Sequence, residues 1–243
     1  IAYGGCIYVP AGTYLIRPAA IDTGYALDIN RDDVHLIGEP SAKFVFQLYD
    51  GSDPATNWPL VNGAVMRGSA IRINGPTSGS PRKNISILGI EIDGGAGSTG
   101  NSSPIPASPS TGDGWDITHK GVYIREDRLF DNIVIEDNYI HSFRGEIVYY
   151  GGAGLQRCRI ERNRISDTNA DCVSVSSKAL ICRFNEIDTC AHAGVENHYL
   201  DGFNFYTFNH FHGCEHGALH LGPANDDVKT GSIDVSWNVI ESC

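Results

Sequence analysis

The sequence predicts an all-β fold, a right-handed single-stranded parallel β-helix, in which each turn of the chain forms short strands that stack on the next turn. One observation is an Asn-x-(Ile/Phe) triplet that recurs in the second half with steps of 25, 22, 24 and 29 residues. Its asparagines are Asn138, Asn163, Asn185, Asn209 and Asn238. The other is the alternation of apolar and polar residues around each triplet, with no heptads and almost no long helical pattern. Such a period, between about 20 and 30 residues, is typical of a solenoid.

Aligning the repeats on the asparagine brings residues of similar character into columns. The positions three before and two after it are predicted to point inward, and they hold Ile135, Ile160, Cys182, Tyr206, Val235, Ile140, Ile165, Ile187, Phe211 and Ile240. A second inward column, ten residues after the asparagine, holds Val148, Val173, Val195 and Leu219. The asparagines themselves are predicted to sit at tight bends, because asparagine tolerates the left-handed conformation and its amide can bond the next coil in a ladder.

Composition agrees with one elongated domain over residues 1–243. The chain has 41% hydrophobic residues and 28 glycines, enough for a substantial core and many bends. Its net charge is −11 with only 18 Lys and Arg, and no basic stripe follows the repeats. These features argue against nucleic acid or an anionic membrane surface as a partner. No run of about eighteen apolar residues is present, so no membrane span is predicted.

The seven cysteines are predicted to be buried thiols. Cys190, Cys214 and Cys243 each lie five residues after a repeat asparagine and should stack below Phe143 and Thr168. Stacked coils are close enough for a disulfide, but the odd count and the apolar surroundings of the other cysteines favour free thiols. No Cys-x-x-Cys is present, so no metal site is expected there.

Polar side chains accumulate on the outward positions of the second strand, coil after coil. Counted from the asparagine, these positions hold His192 and His216 (seven), Glu146 and Asp171 (eight), Tyr149, Ser174, Glu196 and His220 (eleven), and His198 (thirteen). We expect the carboxylates and histidines to share one surface and to push each other's pKa values apart. A pair of carboxyls with separated pKa values suits acid and base roles, whereas the alternative is a merely solvated face.

Residues 4–16 read GGCIYVPAGTYLI. This strand, turn and strand resembles the opening coil of the pectate-lyase-like superfamily (pectin lyase fold), which includes phage tailspike depolymerases. The resemblance implies a short helix before the first coil, of which only residues 1–3 remain, and further coils after Cys243. We therefore expect the sequence to be a fragment that lacks its N-terminal cap helix and its C-terminal coils.

A narrower resemblance is to polygalacturonase-type glycoside hydrolases. It rests on residues 170–175, which read ADCVSV, and residues 191–195, which read AHAGV, with Asp171 and His192 separated by 21 residues. The resemblance implies a glycoside hydrolase in which Asp171 and His192 are catalytic, and the outward columns add Glu146 and Glu196 to the predicted catalytic residues. The same columns predict substrate-binding residues at Tyr149, Ser174, His198 and His220. Tyr199, which follows His198, is predicted to join them, and the two tyrosines offer ring faces to sugars.

Three functions therefore stay open. The first is a hydrolase that cleaves a cell-surface or extracellular polysaccharide with an Asp/Glu acid-base pair and no cofactor. The second is a polysaccharide lyase or uronate epimerase on the same fold, which would bring in Ca²⁺. The third is a non-catalytic glycan-binding adhesin or tail spike. All three place the protein outside the cell, secreted or on a phage tail, where a homotrimer would be expected.

Overall fold

A computed structural model describes residues 4–19, 24–47, 60–61, 64–65, 68–95, 119–198, 202–222 and 231–243. These residues form the predicted right-handed parallel β-helix, an all-β solenoid. Strands and turns account for the secondary structure of these ranges, without a helix. The described ranges accordingly contain no helix long and apolar enough to cross a lipid bilayer.

Three parallel sheets run along the solenoid, and successive coils add strands to each of them. Sheet A contains β1 (Gly5–Val9), β4 (Val34–Gly38), β9 (Arg82–Leu88), β12 (Phe130–Glu136), β15 (Arg157–Glu161), β18 (Ala179–Arg183), β21 (Phe203–Thr207) and β24 (Ser232–Ser236). Sheet B contains β2 (Gly12–Ile16), β5 (Ala42–Phe46), β10 (Glu91–Asp93), β13 (Tyr139–Phe143), β16 (Arg164–Thr168), β19 (Glu186–Cys190), β22 (His210–Cys214) and β25 (Val239–Glu241).

Sheet C carries the second strand of the repeats. It contains β3 (Tyr25–Ile29), β8 (Gly68–Ile73), β11 (His119–Ile124), β14 (Val148–Tyr150), β17 (Val173–Val175), β20 (Val195–Asn197) and β23 (Leu219–Leu221). A fourth, two-stranded antiparallel sheet joins β6 (Leu60–Val61) to β7 (Ala64–Val65) between β5 and β8. The last four strands of sheet C have only three residues each, so each coil turns sharply on both sides of them.

The predicted inward columns form the core. Ile135 pairs with Ile160, Ile160 with Cys182, and Cys182 with Tyr206 in sheet A, and all four are fully buried. In sheet C, Val148, Val173 and Val195 are likewise in register and buried. Val235 and Ile240 keep the same register in the last described coil but are 49% and 55% exposed. Parallel in-register stacking thus converts a sequence column into a continuous apolar row.

The asparagines form the predicted ladder. The backbone N–H of Asn138 donates to Oδ1 of Asn163 over 3.0 Å, and its Nδ2 donates to the same oxygen over 3.1 Å. The same pair of bonds links Asn163 to Asn185, Asn185 to Asn209, and Asn209 to Asn238. Because the remaining Nδ2 proton donates to a carbonyl of sheet A, these buried amides are well satisfied.

The left-handed conformation was predicted for the wrong residue. It falls on the position immediately before each asparagine, where φ is between 53° and 59° at Asp137, Arg162, Phe184, Phe208 and Trp237. The asparagine keeps an ordinary φ because its amide must point along the solenoid axis to reach the next coil. The residue before the asparagine adopts the left-handed conformation instead. At three of these positions the rings of Phe184, Phe208 and Trp237 stack on one another at the surface.

The seven cysteines are free thiols, and five of them are buried as predicted. The prediction was wrong for Cys6 and Cys243, which are exposed in the first and last described coils. Phe143, Thr168, Cys190 and Cys214 are in register in sheet B, which confirms the predicted column. Burial raises the pKa of the Cys158 thiol and raises that of Cys182 to about 12, so both stay protonated and pack as small apolar groups.

Candidate functional site

The outer face of sheet C carries the predicted polar columns. Tyr149 pairs with Ser174, Ser174 with Glu196, and Glu196 with His220, so the column eleven residues after the asparagine is in register. The column eight residues after the asparagine is also in register, since the backbone N–H of Ile147 donates to the carbonyl of Asp171 over 3.3 Å. The N–H of His216 likewise donates to the carbonyl of His192 over 3.2 Å. Side chains from four successive coils therefore meet on this face.

Asp171 is the most deeply buried carboxylate of this face, with no exposed surface. Its Oδ1 accepts a hydrogen bond from the backbone N–H of Ala193 over 2.8 Å and lies 2.7 Å from Nδ1 of His192. Its Oδ2 is buried too and has no hydrogen-bond partner among the residues that the structure describes. Burial raises the pKa of Asp171 to about 6, and the charge of Glu196 pushes it the same way while His192 opposes it.

His192 links the buried carboxylate to the surface, because about a fifth of its side chain is exposed. The hydrogen bond to Asp171 raises the pKa of His192, although partial burial opposes the rise. Two further imidazoles surround it. The His192 ring centroid lies 4.8 Å from that of His216 and 6.2 Å from that of His220.

Glu196 is a second buried carboxylate, held by polar groups from its own coil and from both neighbouring coils. Its Oε2 accepts a hydrogen bond from Oγ of Ser174 over 3.0 Å and lies 3.1 Å from Nε2 of His198. Its Oε1 lies 3.1 Å from Nδ1 of His220. Two predicted binding histidines and the predicted binding serine thus contact this carboxylate, and the side chains of His198 and His220 are partly exposed to solvent.

Glu146 lies in the same column but has a different partner, Lys120, which the sequence reasoning missed. The two side chains form an ion pair, and both are almost wholly buried. Burial lowers the pKa of Lys120, against the pull of Glu146. A signal existed in the sequence, because Lys120-x-Val122 repeats the spacing of Glu146-x-Val148 and Asp171-x-Val173. Aligning the repeats on the asparagines did not reveal this spacing, because the coil of Lys120 has no ladder asparagine. In that coil the backbone N–H of Ile90 donates to Oδ1 of Asn138 instead.

Tyr149 lies beside this ion pair. Its ring lies over the Lys120 ammonium at 3.9 Å and stacks on Tyr123 with ring centroids 5.9 Å apart. Its hydroxyl donates to Oε2 of Glu126 over 2.9 Å. Burial, together with Glu126, raises the pKa of Tyr149, so its phenol stays protonated.

The structure brings some of the predicted residues together and separates others. One ligand atom each from Asp171, His192 and Glu196 lies within 4.8 Å of the others. Glu146 instead belongs to the Lys120 pair. The carboxylates were expected on an open surface, yet Glu146, Asp171 and Glu196 are at most 3% exposed, because side chains of the coils on either side cover them. Tyr199 lies outside the described residues.

A second group of the same composition lies on sheet B. Glu91, Asp93 and His141 also offer three ligand atoms within 4.8 Å of one another. Here Lys43 lies among them, with Nζ 2.7 Å from Glu91 Oε1 and 2.9 Å from Asp93 Oδ2. Burial by itself raises the pKa of both carboxylates. The hydrogen bond from Lys43 nevertheless lowers the pKa of Asp93, and the hydrogen bonds from Lys43 and His141 together lower that of Glu91.

Two groups of potential metal ligands are found among the Asp, Glu, His and Cys side chains of the described ranges. Each of the two groups there contains an imidazole, whereas calcium takes oxygen ligands. The sheet C group therefore suits proton transfer, or a metal that accepts nitrogen ligands.

Comparisons with protein-family models, with curated proteins and with solved structures find no significant match to this chain.

Proposed function

We propose that the chain is a polysaccharide-degrading glycoside hydrolase of the pectate-lyase-like superfamily, with its active site on the outer face of sheet C. One observation carries the proposal. A buried aspartate with a pKa raised to about 6 contacts a partly exposed histidine and lies beside a second buried carboxylate. Perturbed carboxyls in pairs mark acid-base sites.

In the proposed reaction, His192 is the group that reaches the glycosidic oxygen, because Asp171 has no exposed surface. Asp171 and His192 hold a proton between them, because burial raises the pKa of Asp171 to about 6 and the hydrogen bond to Asp171 raises the pKa of His192. His192 gives that proton to the leaving oxygen as the bond from the anomeric carbon breaks. Water then adds to the anomeric carbon, and its released proton returns to the Asp171–His192 pair.

Glu196 has the complementary role in this proposal. As a carboxylate within 4.8 Å of the pair, it stabilises the positive charge that develops on the sugar ring. The hydrogen bond from Ser174 and the contacts with His198 and His220 fix its position. The substrate is an extracellular polysaccharide, so we place the protein outside the cell, secreted or on a phage tail as a homotrimer.

The test measures release of reducing ends and the ultraviolet absorbance of unsaturated products across a panel of bacterial and plant polysaccharides. Asp171→Asn should lower hydrolysis of the responsive polysaccharide at least ~100-fold, the usual contribution of general acid-base catalysis. Asp188→Asn is the matched control, because Asp188 Oδ1 also contacts a histidine, Nδ1 of His212 at 3.0 Å, but on sheet B. Equal activity of Asp171→Asn and the wild type would overturn the proposal.

Lys120 is the observation that favours a lyase or epimerase as the second candidate. Burial lowers its pKa, and a lysine with a lowered pKa is suited to abstract a proton beside a carboxylate group of a uronate. Lys120→Arg separates the two candidates, since arginine keeps the positive charge beside Glu146 but cannot act as a base. Unsaturated products lost in Lys120→Arg would establish the lyase. Binding of a polysaccharide without cleavage would favour the non-catalytic spike.

A further inference from the structure

We infer that Asp171, His192 and Glu196 form a binding site for a divalent transition-metal ion of the zinc class. Three potential ligand atoms, one from each residue, lie within 4.8 Å of one another. Ligands at about 2.0–2.2 Å from one metal lie no more than about 4.4 Å apart. Small rotations of the side chains are therefore enough to close the set around an ion.

The ligand types select the class of metal. Two carboxylates and an imidazole suit zinc, cobalt, manganese or iron, whereas calcium and magnesium take oxygen ligands. Two further imidazoles are close enough to supply nitrogen ligands, because His198 and His220 each lie 3.1 Å from an oxygen of Glu196. The ion reaches the site past these two histidines, whose side chains are 38% and 57% exposed.

An independent observation points to a ligand. Oδ2 of Asp171 is buried without a hydrogen-bond partner in the described part of the chain. Leaving such an atom unpaired in the protein interior incurs the full penalty of removing it from water. A cation bonded to this oxygen would satisfy it.

Comparison with the group on sheet B explains why the metal ion is expected to bind on sheet C and not on sheet B. In the group of Glu91, Asp93 and His141, the Lys43 ammonium already contacts both carboxylates and takes the place of a cation. Within the ranges described, Asp171 and Glu196 form ion-pair contacts only with histidines, while the lysine of that face is paired with Glu146. In the described ranges no lysine or arginine contacts Asp171 or Glu196 in the way that Lys43 contacts the carboxylates of sheet B, so a cation is favoured on sheet C.

The experiment titrates the purified protein with Co²⁺ and follows the visible absorption of the bound ion, with Zn²⁺ as competitor. The wild type should bind one equivalent with nitrogen ligation and release it to Zn²⁺. Asp171→Asn and His192→Gln should each weaken binding at least ~30-fold, whereas the matched variant His141→Gln on sheet B should bind like the wild type. Thermal melts show that each variant is folded, and Glu196→Gln replaces any that is not.

Absence of the absorption band in the wild type, equal binding by all variants, or loss in His141→Gln would each overturn the inference. Its expected consequence, inhibition by Zn²⁺, rests on the proposed function, because the ion would occupy the atoms that hold the proton. The two proposals fail separately. If the protein binds cobalt but is inactive on every glycan, the metal site is supported and the hydrolase is rejected. If it is active but does not bind cobalt, the hydrolase is supported and the metal site is rejected.

Discussion

Asp171 and His192 occupy adjacent coils, and 2.7 Å separates Oδ1 of the aspartate from Nδ1 of the histidine. The aspartate is wholly buried and the histidine reaches solvent. Asp188 and His212 repeat the contact on sheet B at 3.0 Å, but there both side chains are more exposed. Burial therefore raises the pKa of Asp171, while contact with His212 helps to lower that of Asp188 although burial opposes it.

The first prediction concerns the pH dependence of stability. Between pH 3.8 and about 6 the folded state keeps a proton on Asp171 that the unfolded state has released, so this residue makes the free energy of unfolding fall as pH rises. Asp171→Asn removes that slope, and the wild type should lose up to about 3 kcal/mol relative to it across this window. His192, whose pKa is also raised, extends the fall above pH 6.5. Urea denaturation at half-unit pH steps measures the difference.

Asp188→Asn serves as its control. The pKa of Asp188 is lowered, so this carboxylate is ionised in both states from about pH 5 to 6 and should give no such slope. A wild type that gains stability relative to Asp171→Asn as pH rises from 3.8 to about 6 would contradict the raised pKa of Asp171.

The second prediction concerns the buried ion pair of Lys120 and Glu146. Lys120→Met leaves the Glu146 carboxylate buried without its partner and should destabilise the protein by about 3–5 kcal/mol. Adding Glu146→Leu removes the stranded charge and should recover most of that loss. Lys43→Met at the partly exposed pair on sheet B should cost no more than about 1 kcal/mol. Chemical denaturation of the wild type, the two lysine variants and the double variant measures these free energies of unfolding. Equal losses of stability in Lys120→Met and Lys43→Met would contradict the prediction.

The third prediction concerns the asparagine ladder. Asn185→Ala removes the oxygen that accepts two N–H groups of Asn163 at 2.9 and 3.1 Å. The side-chain amide of Asn163 keeps two carbonyl acceptors, but its backbone N–H is left buried and unpaired. The free energy of unfolding should fall by about 1–3 kcal/mol. The neighbouring Glu186→Ala, at an exposed position, should change it by less than about 0.5 kcal/mol. Comparable effects of the two substitutions in urea would show that the ladder contributes little.

The fourth prediction concerns Glu196 in catalysis. Glu196→Gln keeps the shape of the side chain but removes the charge proposed to stabilise the transition state, so kcat should fall at least ~100-fold with KM nearly unchanged. Glu186→Gln, on the exposed face of sheet B, should retain full activity. Steady-state kinetics on the responsive polysaccharide provide both values. A loss confined to KM would instead make Glu196 a substrate-binding residue.

The sequence by itself determined the solenoid and its register. Inward columns such as Ile135, Ile160 and Cys182 repeat at intervals set by the asparagines, and parallel strands stack in register because an amide ladder satisfies each bend. Period-two alternation then fixes which residues point outward, so Ser174, Glu196 and His220 could be placed in one column in advance.

Only the tertiary structure decided the electrostatics of that face. Whether Asp171 is solvated or buried depends on side chains from neighbouring coils, and alternation within one strand contains no information about them. The partner of Glu146 comes from a coil without a ladder asparagine, so the alignment could not reach Lys120. The same packing gives Glu91 and Asp93 of sheet B a lysine, whereas it places histidines against Asp171 and Glu196 of sheet C. Charge and pKa follow from these contacts between coils, which form only when the chain has folded.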